Sequence, residues 1–222
     1  MTVMSLKLYY HPLSSFCWKV LIALYENDTK FEPVLVDLSN GAERAAFLKL
    51  WPIGKFPVLQ DETREWMVPE SSIIVEYLAQ HYPGRIRLVP DDADLARQVR
   101  MRDRFFDLNL QVPMQKITGD RRRPAGQKDP FGVEQARAQL CTACEMVESE
   151  MGSKQWAMGD AFTMADCAAA PALFYANLVM PLASEFKNAA AYLQRLSQRP
   201  SFARVLKEAE PYMAMFPSED RK

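Results

Sequence analysis

Residues 11–20 read His11-Pro12-Leu13-Ser14-Ser15-Phe16-Cys17-Trp18-Lys19-Val20, between an apolar run (Leu6, Leu8, Tyr9, Tyr10) and a helical one (Val20, Leu21, Ile22, Leu24). A strand gives way to a helix through a proline, two serines and a cysteine. Outward from this turn, segments of period 2 and period 3.6 alternate: a strand over 5–10, a helix over 15–26, a strand over 32–38, and a helix over 42–50 after the Asn40-Gly41 turn. Two short strands, 57–60 and 64–67, flank the polar turn Asp61-Glu62-Thr63, and a helix over 71–80 follows. The order is βαβαββα.

After Tyr82 the strand signals stop. The stretch 83–90, opened by Pro83-Gly84 and closed by Pro90, reads as a linker between a first domain over 1–82 and an all-α domain over 91–222. Asp91, Asp92 and Asp94 supply negative charge at a helix start, and that helix is expected to continue past Pro113 with a kink. Residues 120–132 read as an exposed loop. Its three adjacent arginines, Arg121 to Arg123, are a phosphate-binding candidate, but without interleaved aromatics a solvated loop is the better reading. Helices are expected over 132–150, 163–177, 186–198 and 201–213. Thr163 with Asp166 three residues on has the form of a capping box, with Phe162 and Cys167 placed as its hydrophobic staple.

The 222 residues are 49% apolar and 25% charged, which suits a globular chain of one or two domains, and two is the expected count. A net charge of −1 produces no single-sign field for nucleic acid or a membrane surface. No secretory signal is read at the start, so a cytoplasmic location is expected. The uncharged stretch 167–184 has the length of a membrane span, but Pro171, Asn177, Pro181 and the preceding cap mark a buried helix. Four cysteines and two histidines suggest neither a disulfide scaffold nor a metal site. Cys141 and Cys144 form a C-x-x-C inside a helical pattern and read as packing thiols.

A βαβ unit with Ser-Ser-Phe-Cys at its first strand-to-helix turn has the layout of a thioredoxin-like domain in which Ser14 replaces the first cysteine of a C-x-x-C. Dithiol chemistry by that pair is thereby excluded. At a helix start, unpaired amides and the positive dipole end favour an anion, and a serine hydroxyl can donate to it. A thiol brought from a pKa of ~8.5 to ~6.5 gains about 2.7 kcal/mol of differential stabilisation, which raises its thiolate fraction at pH 7 from roughly 3% to roughly 75%. Ser14 also fits a plain N-cap. Ser15, if the turn is shifted, and Tyr10 at the strand end remain open as donors, ranked after Ser14. Cys17, one turn into the helix, reads as a buried packing thiol.

Four stretches, LYYHPLSSFCWKVLIALYE (8–26), WPIGKFPVL (51–59), VPESSIIVEYL (68–78) and GDAFTMADCAAAP (159–171), together resemble the successive motifs of cytosolic glutathione transferases, serine-type and of theta- or zeta-like bacterial character. The resemblance implies glutathione as co-substrate without a metal, a hydrophobic electrophile bound between the domains, a role in detoxification and a homodimer. It implies a thiolate donor at Ser14, at Ser15 as in bacterial members with cysteine there, or at Tyr10 as in tyrosine-type members. It also implies a cis Phe56-Pro57 bond with the Phe56 backbone holding the cysteinyl part. Lys55 would meet the glycyl carboxylate, Glu70 the ammonium and Ser71, at or near a helix cap, the γ-glutamyl carboxylate. His11, Leu13, Phe106, Leu110 and Met114 are expected to line the electrophile pocket. SSFCWKV resembles the SSCSWRV-like turn of zeta-type members, which keeps glutathione-dependent isomerisation or dehalogenation as an alternative, although Phe16-Cys17 departs from that turn. A non-catalytic ligand- or protein-binding module on the same fold is the other.

Overall fold

A computed structural model describes residues 6–217. Its first part runs β1 (Leu6–Tyr10), α1 (Ser15–Glu26), β2 (Glu32–Leu35), α2 (Gly41–Leu50), β3 (Val58–Asp61), β4 (Trp66–Pro69) and α3 (Ser71–His81), the expected order. The expected strand start at residue 5 lies outside the described residues. β2 stops short of residue 38 because the chain leaves the sheet after Val36, whose N–H still reaches the Tyr10 carbonyl at 2.9 Å. The hairpin is shifted toward the C-terminus. The Asp61 carboxylate takes the N–H groups of Thr63 and Arg64 at 3.0 and 3.2 Å, and Glu65 turns at φ 55°, so pairing resumes only at Trp66.

The sheet order is β2-β1-β3-β4, with β1 parallel to β2 and the other pairs antiparallel. The registers Tyr10↔Leu35, Tyr9↔Val58 and Val58↔Pro69 bring the ends of β1, β2 and β4 and the start of β3 to one edge. Three turns therefore meet there: residues 11–14, the turn before Val58, and Glu70 before α3.

The second part is α4 (Ala93–Phe105), a π-helical turn (Phe106–Gln111), α5 (Val112–Arg121), α6 (Pro130–Met151), α7 (Met164–Val179), α8 (Lys187–Gln198) and α9 (Pro200–Ala209), with short 3₁₀ segments between and after. Asp92 caps α4 by accepting the Leu95 N–H at 2.8 Å. The expected kink before Pro113 takes the form of the π turn. Proline has no N–H to give the carbonyl four residues back and its ring crowds that carbonyl, so the helix widens ahead of it. Nearly every residue of α7 is buried, and no helix among the described residues is long and apolar enough to cross a membrane. Thr163 and Asp166 form the expected capping box.

One hydrophobic core runs from Leu6 and Leu8 through α1 into α7 and on to Val205 and Ala209. Trp18 of α1 lies 5.1 Å from Phe174 and 4.8 Å from Tyr175, ring centre to ring centre. Embedded in this seam is a charged cluster that the sequence reading missed. Lys19, fully buried on α1, meets Asp103 at 2.5 Å and Asp107 at 2.9 Å, and donates to Ser72 at 2.8 Å. Ser72 in turn donates to Asp103 at 2.6 Å.

A second polar knot closes the sheet side. Tyr77 and Tyr82 donate their hydroxyls to the fully buried Asp61, which also holds the two turn amides. Burial pushes the Asp61 carboxyl up, but these four donors outweigh it and hold its pKa below the ordinary value. A carboxyl whose pKa is lower folded than unfolded contributes stability that is complete above about pH 4 and is lost as pH falls through the folded value. Asp61→Asn is accordingly expected to lose about 1–3 kcal/mol at pH 7 and to respond less than wild type between pH 5 and 3. Urea titrations across that range check it; parallel pH profiles would refute it.

Candidate functional site

The turn that opened the sequence reading is held from both sides. Leu13 N–H donates to His11 Nδ1 at 3.2 Å and Ser14 N–H to the His11 carbonyl at 3.0 Å. The Pro12 carbonyl accepts from the Trp18 indole, and the Leu13 carbonyl accepts from the Tyr175 hydroxyl at 2.9 Å. With its backbone groups committed, the turn presents Ser14 in one conformation. Ser14 is the N-cap of α1, φ −82° and ψ 116°, and its Oγ accepts the Cys17 N–H at 3.3 Å. Capping uses an acceptor site on the oxygen and leaves the hydroxyl proton available to a ligand.

Ser14 and Ser15 both line a cleft of about 450 Å³ between the sheet edge and the helical part. On the sheet side it is bounded by His11, Leu13, Asp37, Leu38, Ser39 and Phe56, and on the helical side by Gln111, Met114, Gln115, Thr118, Gly119, Arg122 and Tyr175, with Met215 to Pro217 across its rim. His11 stacks on Phe56 at 5.8 Å and meets the edge of Tyr212 at 6.1 Å. Burial, assisted by the Arg122 charge against the opposing pull of Asp37, keeps its imidazole below the ordinary value. His11 therefore stands neutral at pH 7, with Nδ1 accepting and Nε2–H left as a donor.

The sequence-derived candidates divide. Ser14, Ser15 and Phe56 share the cleft. Pro57 is buried behind Phe56, whose bond to it is cis, and Lys55 is exposed on the same turn. Glu70 and Ser71 stand outside this lining, at the same sheet edge through the Val58↔Pro69 pairing. Ser71 is the first residue of α3, not its cap; that place is taken by Glu70, at φ 69° and ψ 118° with no capping bond from its side chain. Such a backbone is strained for a residue with a Cβ, and strain of this kind gathers at ligand sites. Tyr10 is half-buried and not part of the cleft lining.

Two expectations for the electrophile pocket are corrected. Phe106 and Leu110 are 3% and 0% exposed and belong to the core, because the π turn rotates the following residues relative to a 3.6 period. His11, Leu13 and Met114 do line the cleft. Arg121 to Arg123 are likewise not one solvated run: Arg121 reaches the Pro217 carbonyl at 2.8 Å and Arg122 is at the cleft. Cys17 is fully buried, and burial raises its thiol to about 12 against the opposing Ser14 contact, so it is inert as a nucleophile. Cys141 and Cys144 lie on α6, all four cysteines are free, and no metal-ligating cluster occurs among the described residues.

A mixed sheet of this order, with a serine-capped helix leaving its first strand and an all-helical unit covering the opposite side of a cleft, defines a thioredoxin-like domain coupled to a helical domain. Residues 8–85 match the family model described as "Glutathione S-transferase, N-terminal domain", and residues 130–195 the one described as "Glutathione S-transferase, C-terminal domain". The chain belongs to the glutathione S-transferase family. It is 28% identical over 218 residues to "Glutathione S-transferase" of Pseudomonas putida, covering 95% of this chain and 96% of that one. It is 26% identical over 216 residues to "Glutathione S-transferase F6" of Arabidopsis thaliana, covering 90% and 99%. Among solved structures, a glutathione S-transferase from Methylobacillus flagellatus with GSH bound superposes with a TM-score of 0.83 at 25% identity, covering 90% of this chain and 98% of that chain.

Proposed function

We propose that the protein is a glutathione transferase in which Ser14 stabilises the glutathione thiolate for attack on an electrophilic small molecule held in the cleft. The observation that carries this reading is the placement of the Ser14 hydroxyl, fixed at the start of α1 by its bond to Cys17 N–H and facing the cleft with its proton unspent. The helix dipole adds to that donor. Residues 1–82 serve as the glutathione-binding unit, 83–90 as the linker and 91–222 as the helical unit that completes the electrophile site. Lys55, the Phe56-Pro57 turn, Glu70 and Ser71 hold the peptide, a role supported by their common sheet edge and by the strained backbone at Glu70. The narrower theta- or zeta-like placement rests on the SSFCWKV turn. A homodimer is supported by Trp66, Met67 and Ile73, which leave large apolar surface exposed on β4 and α3. Four free thiols fit a reducing cytoplasm.

Ser14→Ala is expected to lower kcat/KM for glutathione turnover roughly tenfold to a hundredfold, with glutathione affinity little changed, because the lost donor acts on the thiolate. Steady-state rates with an electrophile panel, beside Ser15→Ala and Tyr10→Phe, check this. Retained activity in Ser14→Ala with loss in either of the others reassigns the donor. Absence of glutathione binding by calorimetry turns the reading toward a binding module.

A further inference from the structure

The floor of the cleft contains an anomaly. Gln111, the last residue of the π turn, is 2% exposed, and both its Nε2 and its Oε1 lack a hydrogen-bond partner among the described residues. No other buried side-chain amide there shares this condition. The remaining unpaired buried atom, Asp103 Oδ1, lies against the Lys19 ammonium and is compensated by charge. A buried amide with neither end satisfied is costly, and native proteins keep such groups where a ligand completes them.

The surroundings say what is left for a ligand to meet. Thr118 spends its hydroxyl on the Met114 carbonyl at 3.1 Å, and Tyr175 spends its own on Leu13 at 2.9 Å. The walls nearest are apolar: Leu13, Met114 and Phe216, the last stacked on Tyr175 at 5.4 Å. Gln111 is therefore the deep group with both a donor and an acceptor unspent. It comes from the helical side, across the cleft from Ser14.

We propose that Gln111 is the specificity-determining residue for the second substrate, and that it selects electrophiles whose reactive carbon is conjugated to a carboxamide. Such a group offers a carbonyl oxygen to Nε2–H and an N–H to Oε1, satisfying both ends at once. The inference rests on the transferase reading and deepens it. In the reaction the glutathione thiolate forms a sulfur–carbon bond at the β-carbon, and the carbon–carbon π pair shifts toward the carbonyl to give an enolate. The enolate oxygen accepts a stronger bond from Nε2–H, and the α-carbon then takes a proton from water, replacing the one the thiol released on ionising. No oxidant or further reactant is needed. A site with this built-in demand disfavours electrophiles that leave its amide unpaired.

The test compares N-phenylacrylamide with benzyl chloride, which carries neither acceptor nor N–H. Wild type is expected to bind the unreactive N-phenylpropanamide competitively with the acrylamide. Gln111→Leu is expected to lose roughly 10- to 100-fold in kcat/KM for the acrylamide, to stay within about twofold for benzyl chloride, and to keep the wild-type melting temperature or exceed it. Gln111→Met repeats the measurement with an unbranched side chain. Parallel loss on both electrophiles, or a fall in melting temperature accompanying the loss, makes Gln111 structural and overturns the inference. So does a wild type that binds glutathione and uses benzyl chloride but not the acrylamide or its saturated analogue. A wild type that binds no glutathione by calorimetry removes the transferase reading and this inference with it.

Discussion

Lys19→Met is expected to lower the free energy of unfolding by about 3–5 kcal/mol, the cost of removing one partner from a buried ion pair. Methionine preserves the apolar stem and most of its packing, so the loss isolates the charge. Asp103 and Asp107 would remain side by side with only Ser72 and the half-exposed Arg104, 3.3 Å from Asp107, to face them. Burial already holds the Asp103 carboxyl above its ordinary value, against the pull of Lys19. Without the ammonium it rises further, so the deficit of the variant shrinks as pH falls and Asp103 takes up a proton. Adding Asp103→Asn is expected to recover part of the stability. Urea denaturation at pH 7 and pH 5 measures all of this, and a loss below about 1 kcal/mol at pH 7 would show that the cluster contributes little.

The second large effect belongs to Asp166. Its carboxylate accepts from Thr163 N–H and Ala157 N–H at 2.8 Å each, from the Thr163 hydroxyl at 3.2 Å and from the buried Tyr192 hydroxyl. Asp166→Ala removes the capping box and leaves Tyr192, fully buried, without that acceptor, for an expected loss of about 3–5 kcal/mol. Asp166→Asn keeps one carbonyl oxygen and is expected to lose less than half as much. Equal losses in the two variants, measured by denaturant midpoints at unchanged slope, would assign the effect to packing instead.

Asp166 and Lys19 mark the boundary of what could be read from residue order. The capping box is a local pattern of four residues, and α1 was delimited at 15–26 because its serine start and apolar repeat are equally local. The same locality explains why the βαβαββα order was legible. Lys19 had only the weak signal of a cation on an otherwise apolar helix, and its carboxylate partners lie 84 and 88 residues away on α4 and the π turn. The cleft was half legible for a related reason. Its sheet side follows from turns next to recognisable strands, whereas its helical side depends on the phase of the chain around Pro113. One added residue there turns the helix by ~100°, enough to send Phe106 and Leu110 into the core and leave Gln111 facing the cleft. Arg122 and Phe216 arrive at the rim from segments with no periodic signal.

The seam between α1 and α7 has a bearing on how this chain can be handled. Trp18, Val20 and Ile22 are covered in part by a helix that begins more than 140 residues later, and Leu13 is pinned by Tyr175. A truncation at the linker would strip one flank of α1 and release the serine turn at the same stroke. Fragments, chimeras and interrupted reading frames divided there would inherit a ragged apolar wound, not a working half.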